Sequence, residues 1–67
     1  MKVFAEKLKE LRTEQGLTQG QLAAAFNTTN SSVCDWERNR AEPSLEMLVK
    51  IAGYFEVSAD YLLGLED

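Results

Sequence analysis

Apolar residues recur along this chain at the three- and four-residue spacing of amphipathic helices, and no stretch alternates like a β-strand. The first stripe consists of Phe4, Leu8 and Leu11. Gly16 follows as a left-handed stop, and Thr18 with Gln21 has the spacing of a capping box that opens a second, short helix. The apolar face of that helix consists of Leu22, Ala23 and Phe26.

The same reasoning predicts three further helices. Asn27 ends the second helix, because asparagine tolerates a left-handed backbone, and Thr29 caps the third. Ser44 and Ser58 cap a fourth and a fifth helix after a loop at 40–43. Asn39 and Gly64 end the third and fifth. The inner face of the third helix consists of Val33, Trp36 and Glu37. That of the fourth consists of Leu45, Leu48, Ile51, Ala52 and Phe55, and that of the fifth of Tyr61, Leu62 and Leu63. The chain is therefore predicted to be an all-α, five-helix domain.

The composition of the chain excludes several classes of function. The 67 residues predict one domain, and they contain no histidine and a single cysteine, Cys34. Metal sites and Ser/His or Cys/His catalytic pairs are therefore excluded, and we expect neither an enzyme nor a cofactor nor a small-molecule ligand. No apolar run reaches the roughly 20 residues of a membrane span, and the N-terminus lacks a signal-peptide pattern. An unpaired Cys34 fits the reducing cytoplasm; we interpret it as a tolerated small residue rather than a redox switch.

The second and third predicted helices have the spacing needed to cross closely around a tight turn. Ala23 is small enough to let the helices approach, and Asn27 lies four residues later in the turn. Val33 and Trp36 then fill the angle between the helices. This arrangement predicts a helix-turn-helix at 19–38.

The chain resembles the Cro/phage-repressor (Xre-like) helix-turn-helix family over nearly its whole length. The matching segments are LKELRTEQGLTQGQLA, NTTNSSVCDWERN, EPSLEMLVKIA and VSADYLLG. The resemblance implies a lambda-repressor-like domain over residues 1–67, with the helix-turn-helix core at 19–38. It also implies that the third helix, at about 30–38, enters the major groove of an operator and that two copies form a homodimer.

The resemblance implies base reading by Asn30, Ser31, Ser32 and Asp35, on the third helix. Without it, Asn30 and Ser31 would be interpreted as exposed polar residues beside a cap. The side-chain amide of Asn30 has the geometry for a bidentate hydrogen-bonded contact with adenine. Asp35 departs from the basic or amide residue frequent in the family, and it could either accept from a cytosine amino group or repel wrong sites.

The resemblance also implies contacts that carry no base information. Phosphate contacts are expected from Gln19, Thr29, Arg38, Arg40 and Ser44. Arg12 and Glu37 match a family pair, which implies a partly buried ion pair between the first and third helices. The apolar residues Tyr54, Tyr61 and Leu65 are either core or a dimer seam, and we favour the seam.

The expected function is a sequence-specific double-stranded DNA-binding regulator, a repressor on the resemblance. The net charge of −4 opposes it, because cationic side chains supply most non-specific DNA affinity. A weak salt dependence follows if the acidic residues lie away from the DNA. The alternative is a protein-interaction or antitoxin module that keeps the fold, binds a protein partner and has weak or no DNA binding of its own.

Overall fold

The computed structural model describes residues 1–66, and these form five helices and no strand. The helices are α1 (Lys2–Glu14), α2 (Gln19–Ala25), α3 (Asn30–Glu37), α4 (Leu45–Phe55) and α5 (Ala59–Leu63). The predicted all-α architecture is confirmed. Within residues 1–66, no helix is both long and apolar enough to cross a membrane.

Side-chain hydrogen bonds cap the N-termini of α2, α3, α4 and α5 at the residues that the sequence predicts. Thr18 accepts from the Gln21 backbone N–H, while the Gln21 side chain accepts from the Thr18 N–H, which completes the capping box. Thr29, Ser44 and Ser58 each accept a backbone N–H three residues later. All four predicted N-caps are therefore confirmed.

A left-handed residue lies at the C-terminal end of each of these five helices. The predicted stops Gly16, Asn27, Asn39 and Gly64 have φ values of 69°, 54°, 59° and 78°. Glu56 also adopts this conformation, with φ 57°, and ends α4 without any signal in the sequence. Two backbone N–H groups here donate back into the helix, Glu56 N–H to Gly53 O at 3.3 Å and Val57 N–H to Ala52 O at 3.0 Å.

The core lies where the helical stripes converge. Its buried side chains are Phe4, Leu8, Leu22, Ala23, Phe26, Val33, Trp36, Leu48, Ile51, Ala52, Phe55 and Leu62. The prediction was wrong for Leu45, which is 81% exposed. Leu45 is the first residue of α4 and lies on the flank of the apolar stripe, where no described helix covers it. Val49, one turn later on the same flank, is 68% exposed.

Candidate nucleic-acid interface

The turn between α2 and α3 is held by backbone hydrogen bonds rather than by long side chains. Thr28 N–H donates to Ala23 O at 2.9 Å, and Asn27 between them supplies the left-handed step. Ala23 is buried, as expected of the small residue at which the helices approach. Val33 and Trp36 are buried on the inner face of α3. These contacts leave the opposite face of α3 turned outwards.

Ser31, Asp35 and Arg38 share this outward face of α3, because they follow one another at i, i+4 and i+7. Ser31 and Arg38 are exposed, and Asp35 is half-buried. Asn30 is the first residue of the helix and is also exposed. The structure therefore brings three of the four predicted base-reading residues, together with Arg38, to one accessible surface.

Ser32 differs from the other predicted base readers because its hydroxyl already has a partner within the chain. Its Oγ lies 2.9 Å from Thr29 Oγ1, which also accepts the Ser32 backbone N–H at 3.1 Å. Ser32 is half-buried. The two hydroxyls therefore form a small network at the start of α3, in which Thr29 is the cap.

Three of the predicted phosphate contacts lie after the C-terminal end of α3. Arg38 and Arg40 are exposed, and the Arg40 backbone N–H donates to Asp35 O at 2.8 Å. Ser44 uses its hydroxyl to cap α4, where it accepts from Met47 N–H at 3.1 Å. Glu42, which lies between Arg40 and Ser44 in the chain, has a carboxylate oxygen 3.0 Å from the amino group of Met1.

A bidentate ion pair between Arg12 and Glu37 joins α1 to the end of α3. Arg12 Nε and a terminal guanidinium nitrogen donate to the two oxygens of Glu37 at 2.6 and 3.0 Å. A third donor of Arg12 reaches the Leu17 carbonyl at 2.8 Å. The Glu37 side chain is only 3% exposed. The hydrogen bonds to Glu37 raise the pKa of the Arg12 guanidinium, while its partial burial acts in the opposite direction.

Gln19 donates a hydrogen bond to the carboxylate of this ion pair, a contact that was not predicted from the sequence. Its side-chain nitrogen lies 3.1 Å from Glu37 Oε1, the oxygen that accepts from the terminal guanidinium nitrogen of Arg12. The three side chains thus connect α1, α2 and α3 around one carboxylate. Gln19 and Glu37 are 18 positions apart on different helices, so no local spacing predicts their contact.

Comparison with known proteins gives this arrangement a family. The profile described as Helix-turn-helix (HTH_3) matches residues 8–62. The chain belongs to this helix-turn-helix family. Its members are transcription regulators rather than enzymes, in agreement with the sequence analysis.

Relatives of this helix-turn-helix chain are regulators by name. It is 36% identical to the HTH-type transcriptional regulator ImmR of Bacillus subtilis over 64 residues, which are 96% of this chain and 50% of ImmR. It is 38% identical to the immunity repressor protein of Bacillus phage phi105, covering 91% of this chain and 42% of the repressor. The chain thus spans half or less of the length of these two relatives.

A solved structure of similar size has the same fold. The restriction-modification controller protein C.AhdI from Aeromonas hydrophila superposes with a TM-score of 0.80 and is 33% identical. The match covers 91% of this chain and 92% of the controller protein. The lambda-repressor-like architecture expected from the resemblance is therefore found over nearly the whole chain.

Proposed function

We propose that this helix-turn-helix chain is a sequence-specific double-stranded DNA-binding transcription regulator that acts as a repressor in the cytoplasm. The observation that carries the proposal is the exposed polar face of α3, held outwards by buried Val33 and Trp36 in a chain of this family. In this proposal α3 enters the major groove of an operator, where base edges can be distinguished by hydrogen bonding.

Base reading is assigned to four polar residues of α3, two of them exposed and two half-buried. Asn30 supplies an amide that can both donate to and accept from adenine, and Ser31 supplies a hydroxyl beside it. Asp35 accepts from a cytosine amino group and, by the same charge, disfavours sites that offer acceptors there. Ser32 contributes through a hydroxyl whose geometry is set by its bond to Thr29.

Phosphate contacts are assigned to residues on both sides of that face. Arg38 and Arg40 are exposed cations at and beyond the end of α3. Thr29 and Gln19 offer neutral donors, and Ser44 lies where the first backbone N–H groups of α4 are free of helical partners. With two cations among these five groups, the protein makes few ionic contacts per subunit.

The few ionic contacts favour a homodimer, because linking two reading helices raises affinity without new charge. A second copy also has apolar side chains to cover, since Leu45, Val49, Tyr54 and Leu65 are each substantially exposed. A second copy related by a two-fold axis would present two α3 helices to half-sites about one helical turn apart. Tyr54, from the predicted seam, packs edge-on against Phe26 with ring centroids 5.2 Å apart and keeps part of its surface free.

The decisive experiment is selection of bound duplexes from a random pool, followed by gel shifts on the enriched sequence. We expect a two-fold symmetric site, and Asn30→Ala and Ser31→Ala each weaken binding to it about tenfold or more. Gln15→Ala, an exposed residue outside the interface, is the control and keeps full affinity. If no sequence is enriched at low salt, the protein-interaction or antitoxin module is the better interpretation.

Sedimentation equilibrium tests the homodimer. We expect the mass of a dimer at micromolar concentration and of a monomer for Val49→Lys, since a buried cation would oppose association. Ala24→Lys places the same charge on an exposed position of α2 and leaves the mass unchanged. If Leu65→Lys dissociates the dimer while Val49→Lys does not, the seam lies at Tyr54, Tyr61 and Leu65, the three residues that the sequence predicts. A monomeric native chain on a one-half-site operator would contradict the homodimer.

A further inference from the structure

Glu37 fixes the orientation of the Gln19 side-chain amide. A buried carboxylate accepts hydrogen bonds and cannot donate them, so Gln19 must present its NH2 group, not its oxygen, to Glu37. One N–H of that group is used at 3.1 Å. The second N–H remains available, and Gln19 is half-buried, so part of its side chain reaches the surface.

Glu37 is itself held in place. Arg12 donates two hydrogen bonds to it and a third to the Leu17 carbonyl, so the guanidinium is fixed to two parts of the chain. The Glu37 side chain is almost completely buried, so its carboxylate cannot turn towards solvent without breaking these hydrogen bonds. Gln19 is therefore bonded to a rigid partner, although a free glutamine side chain at a surface samples many rotamers.

We infer that Glu37 is a positioning residue for DNA binding, which holds Gln19 so that its second amide N–H meets a backbone phosphate. This inference rests on the proposed function, since it takes the phosphate contact of Gln19 from it. The entropy loss of ordering the glutamine is then incurred on folding and not on binding. Arg12 supports the same contact through Glu37.

The arrangement also ties the phosphate contact to the reading helix. Gln19 is the first residue of α2, and Glu37 is the last residue of α3. A displacement of α3 therefore displaces the acceptor that orients Gln19. The triad makes the register of α3 in the groove and the phosphate contact of α2 parts of one rigid unit, which a purely structural ion pair between α1 and α3 would not do.

A double-mutant cycle tests the inference, with the duplex recovered by selection as the probe. In the native background, Gln19→Met should weaken binding about tenfold per subunit, because it removes a hydrogen bond to a charged group. In an Arg12→Met/Glu37→Leu background, where apolar side chains of similar length replace the pair, the same change should cost less than about threefold. An equal loss in both backgrounds overturns the inference and leaves the phosphate contact standing.

Two further variants separate positioning from stability. Arg12→Lys weakens the ion pair and lowers the unfolding temperature but keeps the Glu37 carboxylate, so the cost of Gln19→Met should persist in it. Gln15→Met is the matched control and should not change binding. If Gln19→Met costs nothing in the native background, both the phosphate contact and its positioning are wrong, whereas a native chain that enriches no duplex refutes the proposed function itself.

NMR relaxation of the side-chain NH2 groups gives a readout that needs neither DNA nor the double variant. In the free native protein we expect the Gln19 amide to be nearly as rigid as the backbone, with an order parameter of about 0.8, and the exposed Gln15 amide to be mobile. In Glu37→Gln, whose amide no longer dictates which atom Gln19 presents, the Gln19 order parameter should fall. A Gln19 amide as mobile as that of Gln15 in the native protein would overturn the inference.

Discussion

Gly64 packs against Val3 so closely that a Cβ atom on Gly64 would lie 2.8 Å from Val3 Cγ1. Gly64 ends α5 with φ 78°, a conformation that costs other residues about 1–2 kcal/mol, and the overlap adds about 1–3 kcal/mol. We therefore expect Gly64→Ala to lower the free energy of unfolding by about 3 kcal/mol in urea titrations.

Gly16 offers a matched control for this prediction. It has a similar φ of 69°, but a Cβ there would meet nothing within 4 Å. Gly16→Ala should therefore cost only the backbone strain, about 1 kcal/mol. Val3→Ala should lessen the effect of Gly64→Ala. Equal losses at the two glycines would show that the contact with Val3 adds nothing.

Glu56 is a site where a substitution should stabilise the protein. It holds a left-handed conformation at the end of α4, which glycine adopts without strain. Glu56→Gly is expected to raise the free energy of unfolding by about 0.5–1 kcal/mol. Glu56→Ala removes the same charge but keeps the strain, so a comparable gain in that variant would assign the effect to electrostatics. Thermal unfolding followed by circular dichroism measures both.

The Arg12–Glu37 pair should matter more when broken than when replaced. Glu37→Ala leaves the guanidinium of Arg12, 12% exposed, without its carboxylate partner and is expected to cost about 3–5 kcal/mol. Arg12→Met/Glu37→Leu removes both charges together and should cost far less, because it leaves no unpaired charge behind. Urea denaturation of the two variants checks this. A double variant no more stable than Glu37→Ala would contradict the burial argument.

The salt dependence of operator binding should be shallow, because few cations are proposed to meet phosphates. The slope of log K against log [salt] is about −0.9 for each phosphate neutralised. Arg38→Gln and Arg40→Gln should each reduce the slope by about 0.9 per subunit, while Asn30→Ala lowers affinity without changing it. Titrations at several salt concentrations measure the slopes. An unchanged slope in both arginine variants would show that neither arginine contacts a phosphate.

Helix boundaries were predictable because they depend on neighbours in the chain. Thr18, Thr29, Ser44 and Ser58 accept backbone N–H groups three residues away, so the residue type and its spacing suffice. The left-handed asparagine at 27 is predictable for the same reason. Glu56 was not predicted to end α4, since glutamate has no preference for the left-handed conformation.

Some contacts between helices were predictable, from residue size and spacing at Ala23 or from the family resemblance at Arg12 and Glu37, and others were not predictable at all. The chain order and periodicity determine that α1 to α5 form and which stripe of each is apolar. They do not determine which flank of a stripe another helix covers, so Leu45 was assigned to the core and is exposed. Nor do they bring Gln19 to Glu37. Local hydrogen bonds depend on spacing along the chain, whereas coverage and the shared carboxylate depend on how three helices meet in space, which only the tertiary structure decides.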